Sequence, residues 1–325
     1  MTRSDGLERV DQCPWCGLET FEPCVDGVED WFFGAVAGQF RYDRCAGCGS
    51  LVLRERPDAQ HIASAYANYY THEAPDSDVN PGMRQALRDR LSAAISDQLT
   101  GLPRQSALAL AVRALIALSP GKASRMASWN RFLASGTLSV LDYGSGNGDF
   151  LRRAAQMGHQ VAGVDFDADA CAVAARSGFT VHHADGFDHA DHLRAFDHVT
   201  ANHVIEHVAD PVALIAQFHA MLRDGGRLHV ECPNAGAGGL AQYGKFWRGL
   251  EAPRHFTIPS CKALSDALAA AGFSDIQWFE RSDVRADMDR QSARARQAHG
   301  GSIADIGSGR VQGSEFITVI AHRHG

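Results

Sequence analysis

Lysine is scarce in this chain. Lys122, Lys245 and Lys262 are the three lysines among 31 basic residues, and the others are arginines. That reads as a compositional bias and not as a site. A surplus of positive charge is also missing. The formal net charge is −7, so no global field draws a phosphate backbone, although a local basic patch stays open. Long apolar runs are absent too. The longest, ALALAVRALIAL at residues 107–118, contains Arg113 and is shorter than the roughly 20 apolar residues that span a bilayer. It reads as a buried or partner-packing helix. Residues 1–12 are polar and acidic, so no secretory signal and no membrane partner are expected, and the expected location is cytoplasmic.

What is present is ordinary for a folded protein. Hydrophobic residues make up 45% and charged residues 21% of 325, which excludes a largely disordered or fibrous chain. The length predicts about two domains and suffices for a full core.

The eight cysteines fall into two groups. Cys24, Cys171, Cys232 and Cys261 are scattered. Cys13-Pro-Trp-Cys16-Gly and Cys45-Ala-Gly-Cys48-Gly form two CxxC pairs separated by 28 residues. Each pair suits a knuckle turn, where the following glycine lets amides point at sulfur. Without a secretory signal, paired CxxC units favour a metal over disulfides. Four thiolates favour tetrahedral zinc and leave no open position, so such an ion would be structural. A redox pair is the competing reading. The ribbon could present substrate or a homodimer partner, and the sequence decides neither.

Three stretches follow one another. Residues 1–56 hold the cysteine pairs. Residues 57–135 are rich in Ala and Leu, and Met83, Leu87, Leu91 and Ile95 recur at helical spacing. Pro81-Gly82 and Gly101-Leu102-Pro103 punctuate the helices. Residues 65–70, with Tyr66, Tyr69 and Tyr70, offer aromatics for a packed junction. Residues 136–325 alternate short apolar strands with helices, the pattern of βαβ units on a parallel sheet. Strands are expected at 138–143, 160–165, 179–184, 196–202, 227–233, 274–280 and 315–322. Asp210 followed by Pro211 is a helix start. Residues 281–313 are polar and are expected to be mobile.

Asp142-Tyr143-Gly144-Ser145-Gly146-Asn147-Gly148 joins the first of these strands to a helix. Its glycines let the backbone turn tightly and approach a ligand. Asp165 ends the second strand, where a carboxylate can accept two hydrogen bonds from a ribose diol. The dinucleotide fingerprint GxGxxG needs a further glycine where this chain has Asp149. An acid at the helix start repels a diphosphate. The turn therefore suits a nucleoside with a cationic amine and no phosphates, which is S-adenosylmethionine.

DYGSGNG, VAGVD, HHADG, FDHVTANHVIEHVADP and LRDGGRLHVECPN, in this order, resemble the motif series of class I S-adenosylmethionine-dependent methyltransferases. FWRGLEAPRHFTIPS resembles a bacterial small-molecule branch with an N-terminal CxxCG pair. The resemblance covers residues 136–280 well and 10–70 loosely. It implies an α/β fold with a Rossmann-like seven-stranded sheet over 136–325, a small zinc ribbon over 1–56, and a helical linker or lid region over 57–135. It also implies roles. Gly144, Ser145 and Gly146 would hold the methionine end, with Asp142 near the amine. Asp165 would bind the ribose and Phe166 would line the adenine. Asp185, with Gly186 and Phe187 beside it, would bond the adenine amino group. Asn202 would face the sulfonium.

Methyl transfer from a sulfonium is an in-line displacement, so alignment of the nucleophile does most of the work. A hydroxyl nucleophile also needs its proton removed, usually by histidine. His203 and His207 follow the fourth strand, four residues apart, where open parallel sheets bind ligands. His207 is the first choice for the base and His203 the second, with Glu206 able to orient an imidazole. His203-Val204-Ile205-Glu206-His207 also matches the HxxEH pattern of a zinc hydrolase. Its place in the motif series, with no further ligand evident, argues against that chemistry.

The insertion at 234–260 clusters Tyr243, Lys245, Phe246, Trp247, Arg248, Arg254 and His255. Tyr243, Trp247, Arg254 and His255 are candidate substrate residues, since aromatics with a cation can form an acceptor pocket or lid. A surface loop covering the sheet edge is the alternative. The favoured function is methylation of a small-molecule acceptor, with a hydroxyl of a saccharide or secondary metabolite foremost. Nucleic-acid methylation would use the ribbon for RNA. However, enzymes acting on base amines carry an Asn/Asp-Pro-Pro-aromatic run where this chain has Asn202-His203-Val204-Ile205, and the negative charge lowers that reading further. A non-catalytic binding protein is disfavoured by the intact Gly144, Gly146, Asp165 and Asp185.

Overall fold

A computed structural model describes residues 6–58, 60–66, 82–101, 107–281, 283–301 and 313–324. Its strands, in chain order, are β1 (Leu7–Arg9), β2 (Phe21–Val28), β3 (Phe40–Cys45), β4 (Leu51–Leu53), β5 (Glu55–Pro57), β6 (Ser139–Tyr143), β7 (Gln160–Asp165), β8 (Thr180–His183), β9 (Phe196–Asn202), β10 (Leu222–Pro233), β11 (Thr257–Ile258), β12 (Phe273–Phe279) and β13 (Phe316–Arg323). The helices are α1 (Met83–Leu99), α2 (Ala107–Leu118), α3 (Pro120–Trp129), α4 (Asp149–Gln156), α5 (Ala168–Arg176), α6 (Pro211–Met221), α7 (Gly238–Tyr243), α8 (Cys261–Ala270) and α9 (Arg285–Ala298).

The expected seven-stranded sheet is present, in the order β12-β13-β10-β9-β6-β7-β8. Its centre is parallel, and β13 runs antiparallel between β10 and β12. Helices cover both faces of such a sheet, so its strands are apolar nearly throughout. Val140 and Leu141, adjacent on β6, are both fully buried, as are Val164, Val199, Leu228 and Val230. Each such side chain contributes about 1.5–3 kcal/mol of burial. Strand order reverses beside β6, so the first strand–helix turn opens into the crevice at the carboxyl ends, where open α/β sheets bind ligands. Asp210 caps α6 through a bond from the Ala213 amide at 2.9 Å, with Pro211 in the first turn.

The cysteine-bearing segment does not stand apart from the insertion. The order β11-β4-β3-β2 builds a second sheet, in which Thr257 pairs with Val52 and Ile258 with Leu51. Tyr42, Leu51 and Leu53 share a core with Trp247, Leu250 and Ile258. The Trp15 indole N–H donates to Thr257 Oγ1 at 2.9 Å. The Tyr42 hydroxyl lies 2.8 Å from the Leu250 carbonyl and 2.6 Å from that of His255. The cysteine segment and the insertion thus share one sheet and one core.

Other expectations need adjustment. In α1 the four-residue apolar spacing does not mark one buried stripe, because Met83 and Leu87 are exposed while Ile95 is buried. The residues that the helix buries lie in its C-terminal half, while Arg88 still covers the Trp129 ring of α3. Within 281–313, residues 285–298 form α9, which buries Met288, Ser292 and Ala295 against the insertion. The interval 302–312 lies outside the described residues. The insertion carries α7 and β11 and is no mere loop.

Candidate functional site

The glycine turn sits between β6 and α4. Gly144, Gly146 and Gly148 all have positive φ, at 79°, 52° and 85°, a region that side chains disfavour. A Cβ on Gly144 would lie 2.4 Å from Val204 Cγ2, so the turn also presses on the segment after β9. The turn is tied to β7: the Gly146 amide donates to Asp165 Oδ2 at 2.7 Å, and the Gly144 and Ser145 amides donate to the Val164 carbonyl. Asp165 Oδ1 also accepts from the Asp167 amide at 2.9 Å. Burial raises the Asp165 pKa even though these bonds favour its charged form.

Asp142 is completely buried. Burial pushes its carboxyl up to about 6, against the pull of the Arg131 guanidinium paired with it. Asp142 Oδ2 and the Ser145 hydroxyl are buried without a hydrogen-bond partner among the described residues. Such orphaned atoms call for a partner not yet in place. Phe166 leaves much of its ring exposed and meets Tyr66 edge-on at 4.6 Å between ring centroids. Asp185, in the turn after β8, is exposed beside His183. Gly186 has open space where a Cβ would stand. Phe187, by contrast, is buried and stacks on His192 at 4.5 Å.

At the end of β9, Asn202 lies opposite Glu231. His203 follows with φ at 56°, a costly conformation for a side-chain-bearing residue of the kind that collects at functional sites. Its Nδ1 lies 3.2 Å from Glu206 Oε1. A carboxylate only accepts, so Nδ1 carries the proton and Nε2 keeps its lone pair. Burial disfavours the imidazolium, but Glu206 outweighs that and raises the His203 pKa. His207 is placed differently. Its Nδ1 lies 3.1 Å from the Arg254 carbonyl and 3.0 Å from the Tyr66 hydroxyl, and burial lowers its pKa. The carboxylate thus orients the His203 ring, whereas His207 faces a carbonyl and a hydroxyl.

The insertion residues divide. Trp247 is fully buried and its indole N–H donates to Glu315 Oε2 at 2.7 Å. Arg254 is fully buried, paired with Asp30 and Glu251, and donates to the Ala65 carbonyl. Tyr243 is buried beside α9 and Gln242. These three brace the insertion, which corrects their expected place at a substrate surface. A buried guanidinium needs such carboxylate partners. His255 is also buried, but its ring faces His207 at 4.7 Å and its Nε2 lies 4.0 Å from Glu206 Oε1. Burial lowers its pKa to about 4.

Two functional neighbours escaped the sequence. Arg131 lies ahead of the motif series, with nothing local to mark it. Tyr66, expected only to fill a junction, bridges Phe166 and His207; its companions Ala67, Asn68, Tyr69 and Tyr70 lie outside the described residues.

The four cysteines converge. Cys13 and Cys48 sulfurs are 3.6 Å apart, Cys16 and Cys45 sulfurs 3.5 Å, and all four lie within 4.8 Å of one another. Zinc–sulfur bonds of about 2.3 Å in a tetrahedron require sulfurs about 3.8 Å apart, whereas a disulfide requires about 2.05 Å. The set fits zinc and holds no disulfide.

The profile of a family described as a methyltransferase domain matches residues 86–277. The ubiquinone biosynthesis O-methyltransferase of Aromatoleum aromaticum is 36% identical over 102 residues, covering 29% of this chain and 44% of that protein. The chain therefore spans less than half the length of this curated relative. A solved S-adenosylmethionine-dependent methyltransferase from Mesorhizobium loti is 19% identical, with a TM-score of 0.44 over 62% of this chain and 98% of the other. Phosphoethanolamine N-methyltransferase 2 of Haemonchus contortus, solved with S-adenosyl-L-methionine, is 15% identical, with a TM-score of 0.48 over 94% of this chain and 69% of the other.

Proposed function

We propose that this chain, which belongs to the methyltransferase-domain family, transfers a methyl group from S-adenosylmethionine to a hydroxyl of a small-molecule acceptor, a saccharide or secondary metabolite. The observation that carries the reading is the turn over β6 and β7. There two buried carboxylates, Asp142 and Asp165, flank glycine amides at the crevice, and Asp142 keeps one oxygen unpartnered among the described residues. Two buried acids, with the Arg131 guanidinium paired to one of them, suit a cationic amine beside a carboxylate and a diol.

Asp142 would take the methionine amine and Arg131, beside it, the carboxylate. Asp165 would accept from the ribose hydroxyls, Phe166 would line the adenine, and Asp185 would bond its amino group. Asn202 would face the sulfonium. Bound S-adenosylmethionine supplies an electrophilic methyl that a nucleophile attacks in line. His203 Nε2, oriented by Glu206, would remove the acceptor's proton. The seat of the chemistry is expected in the cytoplasm; no helix among the described residues is long and apolar enough to cross a membrane.

Two outcomes are expected here. His203→Ala lowers kcat by about 10²–10⁴-fold, the usual share of a general base, and leaves cofactor affinity within about twofold of wild type in calorimetry. Equal losses in both would reject the base. The second outcome concerns pH. Asp142 binds an amine only when ionised, and its pKa is about 6. Protonation competes below that value, so cofactor affinity falls by up to tenfold for each unit of pH lost and levels off above it. Asp142→Asn should bind weakly without this slope. A wild-type affinity unchanged between about pH 5 and 7 would separate Asp142 from the amine.

A further inference from the structure

We propose that Glu206, His207 and His255 form a second metal site, for a divalent transition ion of the zinc or manganese class, at the acceptor end of the crevice. The inference deepens the methyltransferase reading and rests on it only for what the ion does.

The ligand atoms of these three residues lie within 4.8 Å of one another. Their protons point away from the common centre. His207 Nδ1 faces the Arg254 carbonyl at 3.1 Å and His255 Nδ1 faces the Gly249 carbonyl at 2.8 Å. Carbonyls only accept, so each Nδ1 is assigned the proton, with the Tyr66 hydroxyl 3.0 Å from His207 Nδ1 as a second acceptor, and each Nε2 offers a lone pair. Metal-bound histidines are held in this way, by a second bond from the other ring nitrogen. Glu206 is fully buried, and its Oε2 has no hydrogen-bond partner among the described residues. Its Oε1 is engaged by His203. A buried carboxylate oxygen without a donor is costly, and two lone-pair nitrogens cannot donate to it. A cation satisfies all three groups at once.

Two imidazoles and one carboxylate suit zinc, manganese, iron or cobalt, whereas magnesium and calcium prefer oxygen alone. Bonds of about 2.0–2.2 Å need ligand atoms roughly 3.0–3.5 Å apart. The three ligand atoms lie within 4.8 Å of one another, so closure asks for movements of up to about 2 Å. The sequence reading of HxxEH lacked a further ligand. His255, from the insertion, supplies one.

Three protein ligands leave positions open. An acceptor hydroxyl with a second oxygen on the adjacent carbon, a vicinal diol or hydroxyketone, could occupy two of them. The ion would acidify the hydroxyl. The O–H bond breaks and its proton passes to His203 Nε2. The oxygen then forms the O–CH3 bond as the S–CH3 bond breaks, and that electron pair stays on sulfur.

The test titrates the full chain, zinc already at its cysteines, with Co2+. One further equivalent is expected, with weak ligand-field absorption and no thiolate charge-transfer band. Glu206→Gln and His207→Gln should each weaken that uptake by about 100-fold or more, since even outer partners of a metal ligand are worth about 10–100-fold. S-adenosylmethionine calorimetry on the same samples monitors the cofactor site and the fold, and should be unchanged. Absence of Co2+ uptake beyond the cysteine site, or uptake that persists in both variants, overturns the second site and leaves the methyltransferase reading standing. Failure of the wild type to bind S-adenosylmethionine overturns that reading, whatever the Co2+ titration gives.

Discussion

Asp165→Ala is expected to weaken S-adenosylmethionine binding by on the order of 100-fold or more in a calorimetric titration, since each hydrogen bond to a charged group is worth about 1.5–3 kcal/mol. Part of that loss is indirect. Asp165 also receives the Gly146 and Asp167 amides, so alanine loosens the turn as well as removing the ribose acceptor. Asp165→Asn keeps one of these backbone bonds through its amide oxygen but turns an NH2 donor toward the other amide. The charge itself acts on stability with the opposite sign. Burial raises the Asp165 pKa above the ordinary carboxyl value. An acid raised on folding costs stability as pH climbs through its unfolded and then its folded pKa, so at neutral pH the ionised side chain is a net burden. Asparagine removes that burden and loses one backbone bond, so the melting temperature should stay near that of the wild type while binding falls. A variant that binds as wild type would remove the ribose role. A variant that unfolds would show instead that the turn needs both carboxylate oxygens.

Removing zinc from the cysteine cluster is expected to be the larger perturbation of structure. Structural zinc contributes apparent free energies of about 10–16 kcal/mol in small zinc domains, comparable with the whole stability of an ordinary domain. Elemental analysis should find about one zinc per chain, and Cys45→Ser should lower it sharply. The consequences should spread along the second sheet. The Ser260 hydroxyl donates to the Cys48 carbonyl at 2.5 Å, and Thr257 Oγ1 donates to the Leu51 carbonyl at 3.0 Å. Hydrogen exchange should therefore quicken in β3, β4 and residues 249–260, which carry His255, while β6 and β7 stay protected. Acceptor turnover would fall before cofactor binding does. A zinc-free protein whose exchange in 249–260 matches the loaded form would remove this coupling.

Much of the scaffold around the glycine turn was legible beforehand. The strand at 160–165 and the strand at 196–202 have the bounds expected from their apolar runs, because a strand buried on both faces writes itself into consecutive residues. The glycine turn was legible because positive φ restricts residue choice locally. The cysteine pairs were legible because each pair is a contiguous ligand unit. The acceptor side was not. Arg254 reads in sequence as an available cation and is in fact neutralised by Asp30, 224 positions away. Trp247 reads as a pocket wall and is spent on Glu315. In each case the partner lies in a distant segment with its own unremarkable composition.

The sequence by itself determined the alternating strand–helix scaffold, the acid-flanked glycine turn and the thiolate set, since periodicity, backbone strain and ligand spacing act over a few neighbouring residues. Only the tertiary structure decided that the cysteine segment and the insertion share one sheet. It also decided that Glu206 orients His203 rather than His207, and that His255 turns toward them. Those outcomes depend on which buried charges meet across hundreds of residues, and desolvation then settles which side chains brace the fold and which remain able to act.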